Sequence, residues 1–381
     1  MANVLNDLAS DIYKAADIVG REAVGFIPSV MINAGAEEAA QGDTVRAAFT
    51  RTSTVNTSVT PSMTIPQGDD QTVDNKTMSL TQIANVQIPW TGEDVKHVDN
   101  GPGYETVYGD QIAQAFRGIT NAIEAHVATV AYQGASRAVG VAATTPFGSN
   151  HDVIAEARQI IFDNGMPVND GRLSLILNSA AGTNMRNLAN LQTVNTAGNE
   201  QLLRQGTLLD LQGAMIKESA QVQVHTAGTG AGYLLNDAAS AAGDTTITVD
   251  TGTGTILAGD ITTFAGTTDK YVANTDLSGS TYKIGGPGLL VGETDNDAIT
   301  LGAAYTANVM MHQGCVELAM RPLENPIGGD AAEDMLVVMD PHSGLVFQLS
   351  VYKGYKKSML DITTLYQAKA WKSDGIALIL G

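Results

Sequence analysis

The side chains of this 381-residue sequence that could do chemistry are few and scattered. Its six histidines stand at 97, 126, 151, 225, 312 and 342, and no pair has the short fixed spacing that a metal centre uses. His126 falls beside apolar residues at helical spacing and reads as a packing residue, not a ligand. The single cysteine, Cys315, has no thiol to pair with and lies among apolar neighbours, as a small buried hydrophobe does. Two carboxylate pairs, Asp69–Asp70 and Glu93–Asp94, have the oxygen chemistry to hold Ca²⁺, but read first as solvated turn acids. Gly228-Thr229-Gly230-Ala231-Gly232 superficially resembles a nucleotide-binding turn. It lacks a third glycine at the required offset, and strand-like residues follow it where a helix should begin. Asn178-Ser179-Ala180-Ala181-Gly182 does not have the Gly-x-Ser-x-Gly spacing of a nucleophile elbow. The expectation is a protein with no catalytic residue, no cofactor and no metal.

Composition points the same way. Hydrophobic residues make up 44% of the chain, but aromatics only 5% and charged residues 16%, with 40 glycines. That mixture suits many strands and turns. Forty acidic residues against 21 basic give a net charge of −19. Wrapping nucleic acid needs clustered Lys and Arg, so this balance argues against it. Residues 1–25 carry Asp7, Asp11, Asp17 and Glu22, without the basic start and apolar stretch of a secretion signal. No apolar run approaches the ~20 residues of a membrane span. The sequence predicts a cytoplasmic chain with no membrane partner.

Two elements are long enough to dominate the fold. From Val45 to Ile65 the residues alternate, with Val45, Ala47, Phe49, Val55, Val59, Met63 and Ile65 on one face and mostly Thr, Ser and Asn on the other. At ~3.3 Å per residue such a strand reaches roughly 65–70 Å, or less if Pro61 bends it. A turn at Gln67-Gly68-Asp69-Asp70 leads into a returning stretch, with Met78, Leu80, Ala84, Val86, Ile88 and Trp90 on one face. An isolated ribbon is marginal in water, so its apolar stripe must lie on its own domain or on a neighbour. The length favours a neighbour. The second element is a helix over 104–134, with Tyr108, Ile112, Phe116, Ile119, Ile123 and Val127 spaced three or four apart. Gly109 and Gly118 are places where it could kink.

Shorter signals fill in the rest. Residues 3–20 read as an amphipathic helix, 151–162 and roughly 180–190 as two more, and 173–177 as a buried strand. From Gly228 to Leu301 the chain turns Gly-, Thr- and Asp-rich. Strand signals there fall at 245–249, 261–264, 271–273, 282–284 and 298–301, and nine acids outnumber two bases. This reads as a small acidic all-β insertion. Strand-like runs return at 316–320, 336–339, 345–352, 359–371 and 376–380, where Lys353, Lys356, Lys357, Lys369 and Lys372 cluster.

In this order the parts resemble the major capsid (coat) proteins of tailed bacteriophages, whose shell fold is shared with herpesvirus capsids. The likeness is nearest to coat proteins of short-tailed enterobacterial phages that carry an inserted β-domain. Ala241-Ala242-Gly243-Asp244-Thr245-Thr246-Ile247-Thr248-Val249-Asp250 and Gly254–Gly266 are similar to that insertion. Val309–Leu323 resembles the strand that re-enters the axial domain. The insertion here, about 70 residues, is shorter than that resemblance implies.

The resemblance implies an α+β chain divided into an N-terminal arm (1–41), an extended hairpin loop (42–92) and a peripheral domain (93–190) with its spine helix at 104–134. A first axial part (191–227), the insertion (228–301) and the axial remainder with return strands (302–381) follow. It implies hexamers and pentamers tiling an icosahedral head around double-stranded DNA bound without sequence specificity, with scaffolding and portal proteins as partners. The place of action would be the virion, after assembly and procapsid formation in the host cytoplasm. Arg46, Arg51, Asp69, Asp70, Lys353, Lys356 and Lys357 are the expected contacts between subunits, and Asp7, Asp11 and Asp17 those with a scaffold. Two alternatives stay open: an encapsulin-like nanocompartment shell protein of the same fold, and a tail or adhesin component.

Overall fold

The computed structural model describes residues 25–50, 57–65, 73–98, 104–192, 210–326, 328–340 and 343–381. In chain order its strands are β1 (Met31–Ala34), β2 (Thr44–Thr50), β3 (Val73–Ser79), β4 (Gln82–Thr91), β5 (Arg137–Gly140), β6 (Leu173–Leu177), β7 (Met215–Glu218) and β8 (Val224–His225). There follow β9 (Tyr233–Leu235), β10 (Thr246–Asp250), β11 (Ile261–Phe264), β12 (Tyr271–Val272), β13 (Thr281–Lys283) and β14 (Ala298–Leu301). The chain ends with β15 (Tyr305–His312), β16 (Val316–Arg321), β17 (Ala332–Met339), β18 (Val346–Gly354), β19 (Lys357–Ala370) and β20 (Ile376–Leu380).

One helix organises them. Tyr104–Gln133 is a single 30-residue α-helix, about 45 Å long at 1.5 Å per residue, unbroken at Gly109 and Gly118. Ile112, Phe116, Ile119, Ile123, Val127 and Ala131 form one fully buried stripe along it. That stripe packs against two sheets at once, touching Leu360 and Ile362 of β19, Phe347 of β18, Val309 of β15 and Leu378 of β20 in one continuous core. Phe116 meets Phe347 edge-on at 4.9 Å between ring centroids. The helix ends at Gly134, where an added Cβ would sit 2.4 Å from the Ala370 methyl, so only glycine permits the β19 end to approach.

The first sheet runs β1-β16-β19-β18-β17, with β4 on the other side of β19. β19 is its axis, 14 residues long and buried through most of its middle because strands flank it on both sides. β4 is an edge, which is where Pro89 can be tolerated, since a proline has no N–H to give to a further strand. The second sheet runs β13-β10-β9-β14-β11-β12-β5-β20-β15-β6-β7, with β8 on β15. Helix Asp152–Asp163 covers it, burying Ile154, Ala157 and Ile161 against Leu173, Leu175, Leu177 and Ile379. Helix Ser179–Asn187 starts at Asn178, whose side chain accepts from the Ala181 N–H at 2.9 Å. No helix of the described residues is long and apolar enough to cross a membrane.

The expected long strand is shorter than its alternation suggested. β2 pairs with β3 over seven residues, from Thr44 opposite Ser79 to Thr50 opposite Val73, a ribbon of roughly 23 Å at ~3.3 Å per residue. Residues 57–65 continue beyond it outside any strand. The returning stretch splits, 73–79 pairing with β2 and 82–91 with β19, so its second half adds nothing to the ribbon. The turn at 67–70 and the helix expected over 3–20 lie outside the described residues.

Residues 233–301 hold six strands, one more than the sequence signals, because Tyr233–Leu235 is short and follows a glycine run. They enclose a core of their own, including Tyr233, Ile247, Val249, Phe264, Tyr282 and Ile299. Their sheet continues into the body through a single pair, Tyr271 opposite Arg137.

Candidate assembly surfaces

The ribbon is anchored at its base and uncovered beyond it. Met78 and Leu80 are buried against Ala39, Ala319 and Leu365. Lys369 Nζ donates to the Thr77 carbonyl at 2.8 Å, and Thr81 Oγ1 to Gln367 Oε1 at 2.8 Å. Past the ribbon, Val59, Met63 and Ile65 are 88%, 104% and 92% exposed. Three large apolar side chains of one short segment in water are an interaction signal, not ordinary surface. Arg46 is exposed on β2 opposite Thr77. Arg51, Asp69 and Asp70, like Asp7, Asp11 and Asp17, lie outside the described residues. A groove with apolar walls runs between the β4 edge and the first half of the long helix, lined by Val86, Ile88, Pro89, Val107 and Ala115 with Gln111 and Gln114 at its polar side.

The three expected contact lysines sit together at the tip of the β18–β19 hairpin, all exposed, but not all uncommitted. Lys353 is ion-paired with Glu333 of the same sheet. Lys356 occupies the turn with φ +57°, and its ammonium lies 5.6 Å from the centre of the Tyr355 ring. Lys357 opens β19 opposite Thr91.

Beneath these surfaces are buried polar ties that sequence reading missed. Glu124 is 6% exposed on the apolar stripe of the long helix. Its Oε1 accepts from the Phe26 N–H at 3.2 Å and from the Ser219 hydroxyl at 2.5 Å. A Cβ on Gly25 would fall 2.0 Å from that oxygen, so glycine is required for the chain to pass there. The carboxylate thereby fixes residues 25–26 and 219 to the helix.

A second tie holds the root of the 228–301 segment. Asp260 is 1% exposed and accepts from His225 Nε2 at 2.8 Å, from the Gly228 N–H at 3.0 Å and from the Leu257 N–H at 2.8 Å. His225 lies against the tilted rings of Tyr132, at the end of the long helix, and of Tyr305, whose hydroxyl donates to the Gly259 carbonyl at 2.6 Å. An added Cβ at Gly228 would meet the Thr255 carbonyl at 2.3 Å. Its glycine therefore serves this close approach and not a phosphate. The partners are 35 residues apart, and no local pattern announces the pairing.

The remaining candidates resolve as structural groups. Asp94 accepts from the N–H and hydroxyl of Thr91, and Thr91 Oγ1 accepts in return from the Asp94 N–H, a reciprocal cap on helix Gly92–Val98. Those hydrogen bonds hold the Asp94 carboxyl below its ordinary range. Burial pushes the Cys315 thiol up to about 12. Among the described residues no group of three or more His, Cys, Asp and Glu converges as a metal site.

His126 packs edge-on against Tyr366, and its Nε2 is buried with no hydrogen-bond partner among the described residues. Burial holds its pKa below 6.5. A depressed folded-state value means that protonation opposes folding. The stability this residue protects is complete above the unfolded value of ~6.5 and is lost as the pH falls toward the depressed one. Unfolding curves across that window should therefore show a loss in the wild type that His126→Gln lacks; parallel pH dependences would refute the assignment.

No protein-family model matches the sequence, and no curated protein matches it. Solved structures do. A chain from Mycobacterium phage Che8 aligns over 93% of this chain and 90% of its own, at 13% identity and a TM-score of 0.50. The capsid structure of the cyanophage P-SCSP1u aligns over 94% and 88%, at 10% identity and 0.51. The mature capsid of bacteriophage PhiM1 aligns over 93% and 86%, at 11% identity and 0.50. The chain has the fold of phage major capsid proteins. The α+β class expected from sequence holds across nearly the whole chain. At such identities only the three-dimensional arrangement carries the relation.

Proposed function

We propose that this protein is the shell subunit of a tailed-phage head, self-assembling as hexamers and pentamers into an icosahedral capsid around double-stranded DNA. The observation that carries the reading is the uncovered segment 57–65 on a subunit of capsid fold: its apolar face is left for a neighbouring copy to bury. The groove between β4 and the spine helix is a fitting receptor, with an unpaired strand edge on one wall and Val107 and Ala115 on the other. The net charge of −19 leaves packaged DNA mobile, since the shell offers phosphate few cations. The place of action is the virion, and the protein acts structurally rather than as an enzyme. The acidic arm residues Asp7, Asp11 and Asp17 are assigned to a scaffolding protein, and a portal completes the head. The domain division at 41, 92, 190, 227 and 301 belongs to the same reading.

Electron microscopy of the purified chain tests it. Closed shells or hexameric capsomers are the expected products, and compact monomers at high concentration would overturn it. Val59→Ser, Met63→Ser and Ile65→Ser together should leave the melting temperature of the unassembled subunit nearly unchanged, because the three side chains are exposed, within about 0.5 kcal/mol each. Particle yield should collapse. Normal yield from the triple variant would remove segment 57–65 from the proposal.

A further inference from the structure

The acidic 228–301 segment has one end where charge is left unanswered. The 265–270 and 289–297 turns meet there, joined by the Ala265 N–H donating to the Ala298 carbonyl at 3.0 Å and the Leu290 N–H to the Tyr271 hydroxyl at 3.0 Å. Glu293 is 9% exposed, and its Oε1 has no hydrogen-bond partner among the described residues. Burial, and then the charges of Asp297 and Asp269, push its carboxyl above the ordinary carboxylate range. A buried carboxyl beside two further acids is disfavoured in its charged form unless a cation reaches it. Beside it, Leu290 and Val291 are 39% and 51% exposed. The surface is therefore apolar and anionic together.

The hairpin tip of the first sheet has the opposite character. Tyr355 is 90% exposed, and Lys356 beside it holds φ +57°, a conformation suited to glycine. A lysine kept in a strained turn next to an uncovered aromatic ring points to selection for contact over stability. Three of the chain's 21 basic residues, Lys353, Lys356 and Lys357, lie at this tip, and among the described residues only Lys353 is paired with an acid in the same sheet, so on a surface this acidic the tip is a distinctive cationic feature. A chain cannot bring its own two surfaces together. The tip lies beside the start of the spine helix, where Lys357 faces Thr91, and the acidic segment is rooted at its far end, at Tyr132. The 30-residue helix that runs between these two ends is about 45 Å long at 1.5 Å per residue.

We propose that the tip Tyr355-Lys356-Lys357 of one copy seats on the acidic end of another, Tyr355 covering Leu290 and Val291 while the two ammonium groups meet Asp269, Glu293 and Asp297. It rests on the shell reading only in requiring that copies touch. Such a contact closes on itself only if the symmetry of the assembly returns it, as a ring or shell does.

Zero-length carbodiimide coupling of a mixture of isotope-light and isotope-heavy chains tests the pairing directly. Links from Lys356 or Lys357 to Asp269, Glu293 or Asp297 that join light to heavy chain are expected. Links from these lysines only to other acids, or only within one chain, would overturn the pairing. Lys356→Gly should melt no lower than the wild type, because the strain is relieved, yet lose light-to-heavy links at least ~10-fold. Lys356→Glu with Lys357→Glu should abolish the links, and adding Asp269→Lys with Asp297→Lys should restore association of the two surfaces. Absence of that rescue in a variant with wild-type melting would count against the pairing. The two readings fail separately: particles without these links leave the shell and remove the pairing, whereas links without particles do the reverse.

Discussion

Asp260→Ala is expected to lower folding stability by about 3–5 kcal/mol, because one acceptor that serves three donors is lost at once. The carboxylate is 1% exposed and takes hydrogen bonds from His225 Nε2 and from the N–H groups of Gly228 and Leu257. Alanine leaves the buried His225 ring nitrogen and the part-buried Gly228 and Leu257 N–H groups unanswered, and a buried unpaired donor costs about 1–3 kcal/mol before the site relaxes. Asp260→Asn keeps one acceptor oxygen and should cost distinctly less. Because these donors join the entry to the 228–301 segment, the Leu257–Asp260 turn and the body, the loss should be local first. Hydrogen exchange at the Gly228 and Leu257 amides should quicken before the amides of β15 and β20 do. Wild-type melting with both amides still protected would show that the tie is redundant.

Phe116→Ala should cost about 3–5 kcal/mol, the usual penalty for truncating a fully buried aromatic. Phe116 is 0% exposed and meets Phe347 at 4.9 Å and 75°, an edge-on contact worth about 0.5–1.5 kcal/mol beyond its area. Both sheets lean on the same stripe of the long helix, so the cavity cannot collapse without moving one of them. Phe116→Leu, which refills most of the volume, should recover the larger part. Denaturant unfolding of the unassembled subunit measures the difference, with exposed Val141→Ala, expected within about 0.5 kcal/mol, as the control. Equal midpoints for Phe116→Ala and wild type would mean that the helix does not organise the core.

The two changes bear on the proposed shell differently. The first frees a peripheral segment and should spare the ribbon, whereas the second softens the wedge to which every contact surface is attached. A shell built from many copies multiplies any error in subunit shape, so Phe116→Ala is the variant in which particle yield should track stability most closely.

Several elements of this chain are local events, and the sequence alone determined them. The long helix runs Tyr104–Gln133 because apolar residues recur at 3–4 spacing for about six turns and no proline interrupts them. Ile261–Phe264, Ala298–Leu301 and Ile376–Leu380 were legible for the same reason, a short apolar or alternating run between turn residues. Local pattern did not decide who pairs with whom. The alternation of 45–65 set a capacity for strand, but among the described residues only Thr44–Thr50 pairs, with Val73–Ser79, while the second half of the returning stretch joins β19. Glu124, Asp260 and Glu293 looked like surface acids in a sequence of 40 acidic residues. They are buried because residues 98, 95 and 35 positions apart in the chain meet at Glu124 and Asp260, and because two turns close over Glu293. Periodicity reports which face of an element is apolar, and the meeting of distant faces is settled only when the whole chain packs.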